Sequence, residues 1–159
     1  MTELSPPANA GVHFPPPLLY VIGFLLGLGL DRWHPLPLTA GPSLGRTLGA
    51  AVCFAGFAAI FLSALITFVR LRTAIIPNRP ARTLATGGPY RMTRNPMYVS
   101  LAVLYVGLTL IVNSWWPLPL LAAVLVVVDR AVIAREERYL AAAFPVEYAT
   151  YRARVRRWL

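Results

Sequence analysis

The sequence predicts an all-α integral membrane protein: a bundle of four transmembrane helices followed by a short amphipathic C-terminal helix. Three observations predict it. Of 159 residues, 57% are hydrophobic and the mean hydropathy is +0.60, too apolar for an ordinary soluble domain. The apolar residues gather into four runs. The net charge of +9 is carried by arginines placed beside those runs, with no lysine anywhere. The length suits one domain, so residues 1–159 are read as a single transmembrane domain. Residues 1–17 are a flexible N-terminal segment, and residues 84–159 are the half that carries the motifs.

The first run, Leu18–Leu30, has thirteen residues and is the weakest, but Phe14 and Trp33 extend it into both interfaces. No Arg or Lys precedes Arg32, so the run is expected to be a retained anchor, not a cleaved signal. Leu48–Val69 offers 22 uncharged residues, about 33 Å of helix. Met97–Val112 is the third, with Pro96 near its first position, where a missing N–H costs nothing. Asn113 and Ser114 stop it, Trp115 and Trp116 prefer the interface, and Pro117 opens the next helix, which predicts a tight helical hairpin. The fourth run, Leu118–Val128, must continue through Asp129 and Arg130 to cross the hydrocarbon. Phe144-Pro145 breaks the helix, and Val146–Leu159 forms the amphipathic tail. Its aromatic residues and arginines are expected to anchor at the membrane surface.

Arginine counts set the orientation. Arg70, Arg72, Arg79, Arg82, Arg91 and Arg94 lie between the second and third runs. Arg135, Arg138, Arg152, Arg154, Arg156 and Arg157 follow the fourth. The other loops hold only Arg32 and Arg46. Both termini and the 70–96 loop are therefore expected on the cytoplasmic side, in a bacterial inner membrane. That topology brings the two polar clusters, residues 87–98 and 135–140, to one side.

Several function classes are excluded. Arginines beside apolar runs do not make a phosphate-tracking groove, so no nucleic acid is expected as a partner. Cys53 is the single cysteine, lies in an apolar run and cannot build a disulfide or a multi-Cys metal site. His13 and His34 stand in Pro-rich flanks, and no metal is assigned. There is no G-x-G-x-x-G in a βαβ context and no P-loop.

The chemistry therefore rests on the two clusters. Gly87-Gly88-Pro89 supplies a turn whose backbone can approach a ligand closely. Arg94-Asn95-Pro96-Met97-Tyr98 opens the third helix. On the fourth, Asp129 and Glu136 are seven residues apart and share a face, as do Arg130 and Glu137 one position round. Glu136 and Glu137 are about 100° apart, so one is expected to face a ligand and the other to pair with Arg91 or Arg94. Asp129 sits at the bilayer edge, where a carboxylate wants a partner.

The ordered series Gly88-Pro89-Tyr90-Arg91, Arg94-Asn95-Pro96-Met97-Tyr98, Glu136-Glu137-x-x-Leu140, Phe144-x-x-x-Tyr148-x-x-Tyr151 and Val155-x-Arg157 resembles the isoprenylcysteine carboxyl methyltransferase and phospholipid methyltransferase family. The resemblance covers roughly residues 84–159. It implies a small helical bundle whose cytoplasmic ends enclose S-adenosylmethionine. It also implies Gly88, Tyr90, Asn95, Pro96, Tyr98, Glu136 and Glu137 as cofactor-binding residues, with Arg94 and Arg157 as catalytic ones. Family members often carry Arg-His-Pro where this chain has Arg94-Asn95-Pro96. Asn95 removes an imidazole and its proton transfer but still donates and accepts hydrogen bonds.

The implied activity is transfer of a methyl group to a lipophilic small molecule or lipid drawn from the membrane, without an obligate protein partner. Carboxylates and aromatic faces suit a cationic sulfonium. Carboxyl methylation is favoured, because a carboxylate needs no general base and an arginine can hold it. Phospholipid or amine N-methylation, and a non-catalytic bundle, are the alternatives. A sterol-reductase-like reading ranks low, since Glu137 is followed by Arg138-Tyr139-Leu140 with no Cys.

Overall fold

A computed structural model describes residues 14–71 and 83–159. The flexible-segment expectation up to His13, and the loop arginines Arg72, Arg79 and Arg82, lie outside the described residues. The described chain is helical, with one isolated β-bridge between Pro37 and Ser114. Its elements are α1 (Pro17–Trp33), α2 (Leu44–Leu71), a 3₁₀ turn (Gly88–Arg91), α3 (Pro96–Val112), α4 (Pro117–Val127), a π-helical segment (Val128–Ile133), α5 (Ala134–Ala143) and α6 (Pro145–Arg154).

Two helical stretches are long and apolar enough to cross a membrane. One is α2, of 28 residues; the other is the 27-residue run Pro117–Ala143, made of α4, the π segment and α5. At 1.5 Å per residue each spans about 40 Å. Only 6% of the apolar window of α2 is buried inside the protein, whereas the core helix of a soluble domain would be mostly covered. Of the four expected crossings, two are helices of full length, while α1 and α3 have 17 residues each. Proline opens α1, α3, α4 and α6 in the first turn, where its missing N–H has no intrahelical partner to lose.

The bundle is built from two close pairs, α2 on α3 and α1 on α4. Small residues permit the approach, since apolar helices in lipid associate by packing and not by hydrophobic exclusion. A Cβ on Gly27 would stand 2.9 Å from the Pro117 Cα, and one on Gly107 3.0 Å from Cys53 Cβ. Phe24 and Tyr105 meet edge to face at 5.2 Å within the cluster of Tyr20, Leu121, Val124, Val128 and Ile133.

One end of the bundle is closed by two interlocked loops. Asn113 ends α3 at φ 57°, a left-handed conformation that asparagine tolerates. Its side chain accepts from the Thr39 N–H at 3.0 Å and donates to the Thr39 carbonyl at 3.0 Å. Ser114 Oγ donates to Asp31 at 2.7 Å, Trp116 Nε1 to the His34 carbonyl at 2.7 Å, and Arg46 Nη1 to the Leu110 carbonyl at 2.7 Å. The expected hairpin between the third and fourth helices is present.

At the opposite end the structure corrects two expectations. The first concerns register. Within the π segment the N–H of Ala134 donates to the Asp129 carbonyl five residues back, which absorbs one extra residue into the turn. Positions eight apart then take the relation that seven would have had. Asp129 accordingly shares a partner with Glu137 instead of a face with Glu136, and Arg130 does not meet Glu137. The second concerns the tail. The last helix ends at Arg154, and Val155–Leu159 fold back without helical structure. Tyr148 and Tyr151 are buried against Ala64, Ala85 and Tyr90, so they hold the core instead of anchoring at a membrane surface.

Candidate functional site

Four charged side chains from four segments converge where α3 begins. Arg94 precedes α3, Asp129 belongs to the π segment, Glu137 to α5 and Arg157 to the tail. Arg94 Nη2 lies 2.8 Å from Glu137 Oε1, with the two side chains 9% and 10% exposed. Arg157 grips the same carboxylate, Nε to Oε1 at 3.1 Å and Nη2 to Oε2 at 2.5 Å. Its Nη1 donates to Asp129 Oδ2 at 3.1 Å, and Trp158 Nε1 donates to Asp129 Oδ1 at 2.9 Å. The hydrogen bond to Glu137 is the leading reason the Arg157 guanidinium is pushed above its ordinary range.

The tail is held by its backbone as well. The Arg157 carbonyl accepts from Asn95 Nδ2 at 2.9 Å and from Thr93 Oγ1 at 3.0 Å. The Arg94 N–H donates to the Arg156 carbonyl at 2.9 Å. Asn95 sits at the N-cap position of α3 but makes no side-chain cap; its amide is spent on the tail. Pro96, next to it, is fully buried at the first helical position.

Glu136 stands apart from this network. It points toward α3, where Tyr98 Oη donates to its Oε1 at 2.7 Å, and Tyr20 Oη in turn donates to the Tyr98 carbonyl at 3.1 Å. No arginine among the described residues pairs with it. The formal charges of Arg94, Arg157, Asp129 and Glu137 cancel, which leaves Glu136 as the carboxyl of the cluster without an ion-pair partner. Tyr90 lies close enough to feel it: burial first, then Tyr151 and Glu136, push the Tyr90 phenol up. Tyr148 is pushed up to about 12 by burial and by the Glu137 charge.

Of the sequence-predicted site residues, Tyr98 meets Glu136, while Arg94, Asn95, Glu137 and Arg157 form one connected network. Gly88 adopts φ +58°, and an added Cβ would stand 2.8 Å from Thr67 Oγ1; its close approach is to α2 and not to an open cleft. Tyr90 packs edge to face on Phe68 at 5.5 Å and accepts a hydrogen bond at its carbonyl from Tyr151 at 2.7 Å. Arg91 is exposed and leaves the pairing with Glu137 to Arg94. Sequence reasoning missed Thr93, Tyr20 and Trp158. Nothing in their spacing marks them, because each acts across a long separation in the chain.

Beside the network, α3 floors an open apolar groove of about 760 Å³, walled by α2 at Cys53 and by α4 at Leu125 and Val126. Val99, Val103 and Val106 line its length, and Asp129, Arg130 and Trp158 stand at the end nearest the charged cluster. Among the described residues no group of three or more His, Cys, Asp and Glu side chains is placed to hold a metal ion.

With this geometry established, comparison with known proteins is decisive at the family level. The phospholipid methyltransferase family model matches residues 44–147, from the start of α2 into α6. The chain belongs to that family. The phospholipid methyltransferase match takes in Arg94, Asp129, Glu136 and Glu137 and stops short of the tail that carries Arg157. The chain is also 39% identical over 141 residues to the cobalt-zinc-cadmium resistance protein CzcN of Cupriavidus metallidurans, covering 85% of this chain and 56% of that relative. The chain therefore spans little more than half the length of this relative. No solved structure matches.

Proposed function

We propose that this protein is an integral-membrane, S-adenosylmethionine-dependent methyltransferase of a lipophilic acceptor. In this reading α1 and α3 also cross a bacterial inner membrane, and the charged cluster and both termini face the cytoplasm. The observation that carries it is the division of labour between adjacent carboxylates. Glu137 is consumed by two arginines, whereas Glu136 is aimed by Tyr98 and left without a counter-charge.

The donor set fits the cofactor. Glu136, with the rings of Tyr90 and Tyr98 near it, offers a carboxylate and aromatic faces to a sulfonium. Arg94 Nε is buried without a hydrogen-bond partner, which leaves an N–H available to a carboxylate beside Glu136. When bound, S-adenosylmethionine supplies a methyl group on a cationic sulfur. The protein's part is largely orientation. Asn95, Arg157 and Asp129 fix the tail that fixes Glu137, and Glu137 fixes Arg94. The apolar groove supports a lipophilic acceptor that enters sideways from the bilayer with its reacting group toward the cluster. Carboxyl methylation is the favoured reaction, since no imidazole stands at Asn95 to remove a proton.

Calorimetry of the detergent-purified protein with S-adenosylmethionine tests the reading. Saturable binding is expected, weakened about tenfold or more in Glu136→Gln, the loss of a hydrogen-bonded charge. A folded wild-type protein that binds no S-adenosylmethionine overturns it.

A further inference from the structure

The groove between α2, α3 and α4 ends at an arginine that the sequence pattern had assigned elsewhere. Seven-residue spacing would put Arg130 on the Glu137 face. The π segment moves it off that face, and the tail residue Arg157 takes the partner instead. Arg130 is left exposed at the groove mouth, with no acidic partner among the described residues. Asp129, its neighbour at the mouth, is already held by Arg157 and Trp158, so among the described side chains Arg130 is the cation of the lining left without an ion-pair partner.

We infer that this groove binds a single-chain amphiphile with an anionic head, the chain lying along Val99–Val106 and the head on Arg130. The chemistry follows from three features. The walls are aliphatic from Cys53 to Leu125, which excludes a polar chain. The floor from Val99 to Val106 rises about 10 Å along α3, room for an extended tail. A planar guanidinium holds paired oxygens, as carboxylates and phosphates present them, and makes only a weaker, single hydrogen bond to an alcohol or ester head that cannot match its charge. Arg130 is thereby a specificity-determining residue that selects acceptors by head-group charge. This rests on the groove being the acceptor's route in the methyltransferase reading.

The test uses Cys53, the single cysteine of the chain, which lines the groove away from Arg130. Its alkylation by N-ethylmaleimide is followed in a nonionic detergent with added dodecanoate, dodecyl phosphate or dodecanol. Protection by either anion is expected at concentrations at least tenfold below those needed with dodecanol. Arg130→Gln should abolish that preference without shifting the melting temperature, because the side chain is exposed and unpaired, and Arg130→Lys should retain part of it. Equal protection by dodecanol, a preference that survives Arg130→Gln, or a Cys53 that does not react even without amphiphile overturns the inference. None of these outcomes touches cofactor binding. S-adenosylmethionine bound without anion preference sinks only the Arg130 assignment, and anion preference without S-adenosylmethionine binding sinks only the methyltransferase reading.

Discussion

Arg157 and Glu137, twenty residues apart in the chain, meet side-on through two parallel hydrogen bonds of 3.1 and 2.5 Å. Arg94 reaches the same carboxylate from the other side at 2.8 Å. Glu137 is therefore the anion on which two cations depend, and one of them, Arg94, is almost wholly removed from water.

Glu137→Gln keeps the shape and removes that anion. Stripping the partner from a buried charge costs about 3 kcal/mol, because the arginine keeps its desolvation and loses its compensation. Thermal unfolding in detergent should show a clear drop in melting temperature, partly recovered when Arg94→Gln is combined with it. A variant as stable as the wild type would mean that water already reaches Arg94 and that the network contributes little.

The second expected loss is smaller. Asn95→Ala removes one of two donors to the Arg157 carbonyl, and Thr93 remains bonded to it. One neutral hydrogen bond contributes about 1 kcal/mol, so a modest destabilisation is expected, with faster proteolysis after Val155. Combining Asn95→Ala with Thr93→Val should cost more than the two single changes together, since the carbonyl is then left bare. Strict additivity would show that the two donors to the Arg157 carbonyl do not act as a unit.

Much of this site was legible because apolar runs and arginine placement dictate topology, and topology brings residues 87–98 beside residues 135–140. The pairing of one carboxylate with Arg94 was within reach of helix geometry, since neighbours about 100° apart cannot serve one partner. What the sequence hid has two physical origins, a register shift and long-range packing. A π turn leaves no compositional mark, yet it shifts every later side chain by one position, so Asp129 was matched with Glu136 and Arg130 with Glu137. The same blindness covers Val155–Leu159. Tyr148, Tyr151 and Trp158 have the composition of a surface anchor, and only tertiary contacts, with Ala64, Ala85 and Tyr90 for the two tyrosines and with Asp129 for Trp158, turn them inward.

The α1–α4 contact yields a prediction with an internal control. An added methyl at Gly27 would press on the Pro117 backbone at 2.9 Å, an atom that cannot swing aside. Gly27→Ala should destabilise by about 1–3 kcal/mol through overpacking. Gly29, two residues on in the same helix, has nothing within 4 Å of an added Cβ. Gly29→Ala should stabilise by about 0.5–1 kcal/mol, the ordinary gain of alanine over glycine in a helix. Melting temperatures that move in the same direction for both would contradict the close packing of α1 on α4.

The interlocked loops make the orientation of the bundle testable. Leu38 and Thr39 bond to Asn113, and the Trp115 N–H donates to the Leu36 carbonyl at 2.9 Å, so residues near 40 and 115 share one end of the molecule. The arginine-rich segments around Arg94 and Arg157 lie at the other. Arginines concentrate on the cytoplasmic side because translocating them is costly. Reporter fusions at residues 40 and 115 should therefore both report the outer face, and fusions after Leu159 the inner. Opposite signals at 40 and 115 would contradict the loop contact itself. A shared cytoplasmic signal would instead invert the bundle, place Arg94, Glu136 and Glu137 on the outer face, and cut the proposed site off from a cytoplasmic supply of S-adenosylmethionine.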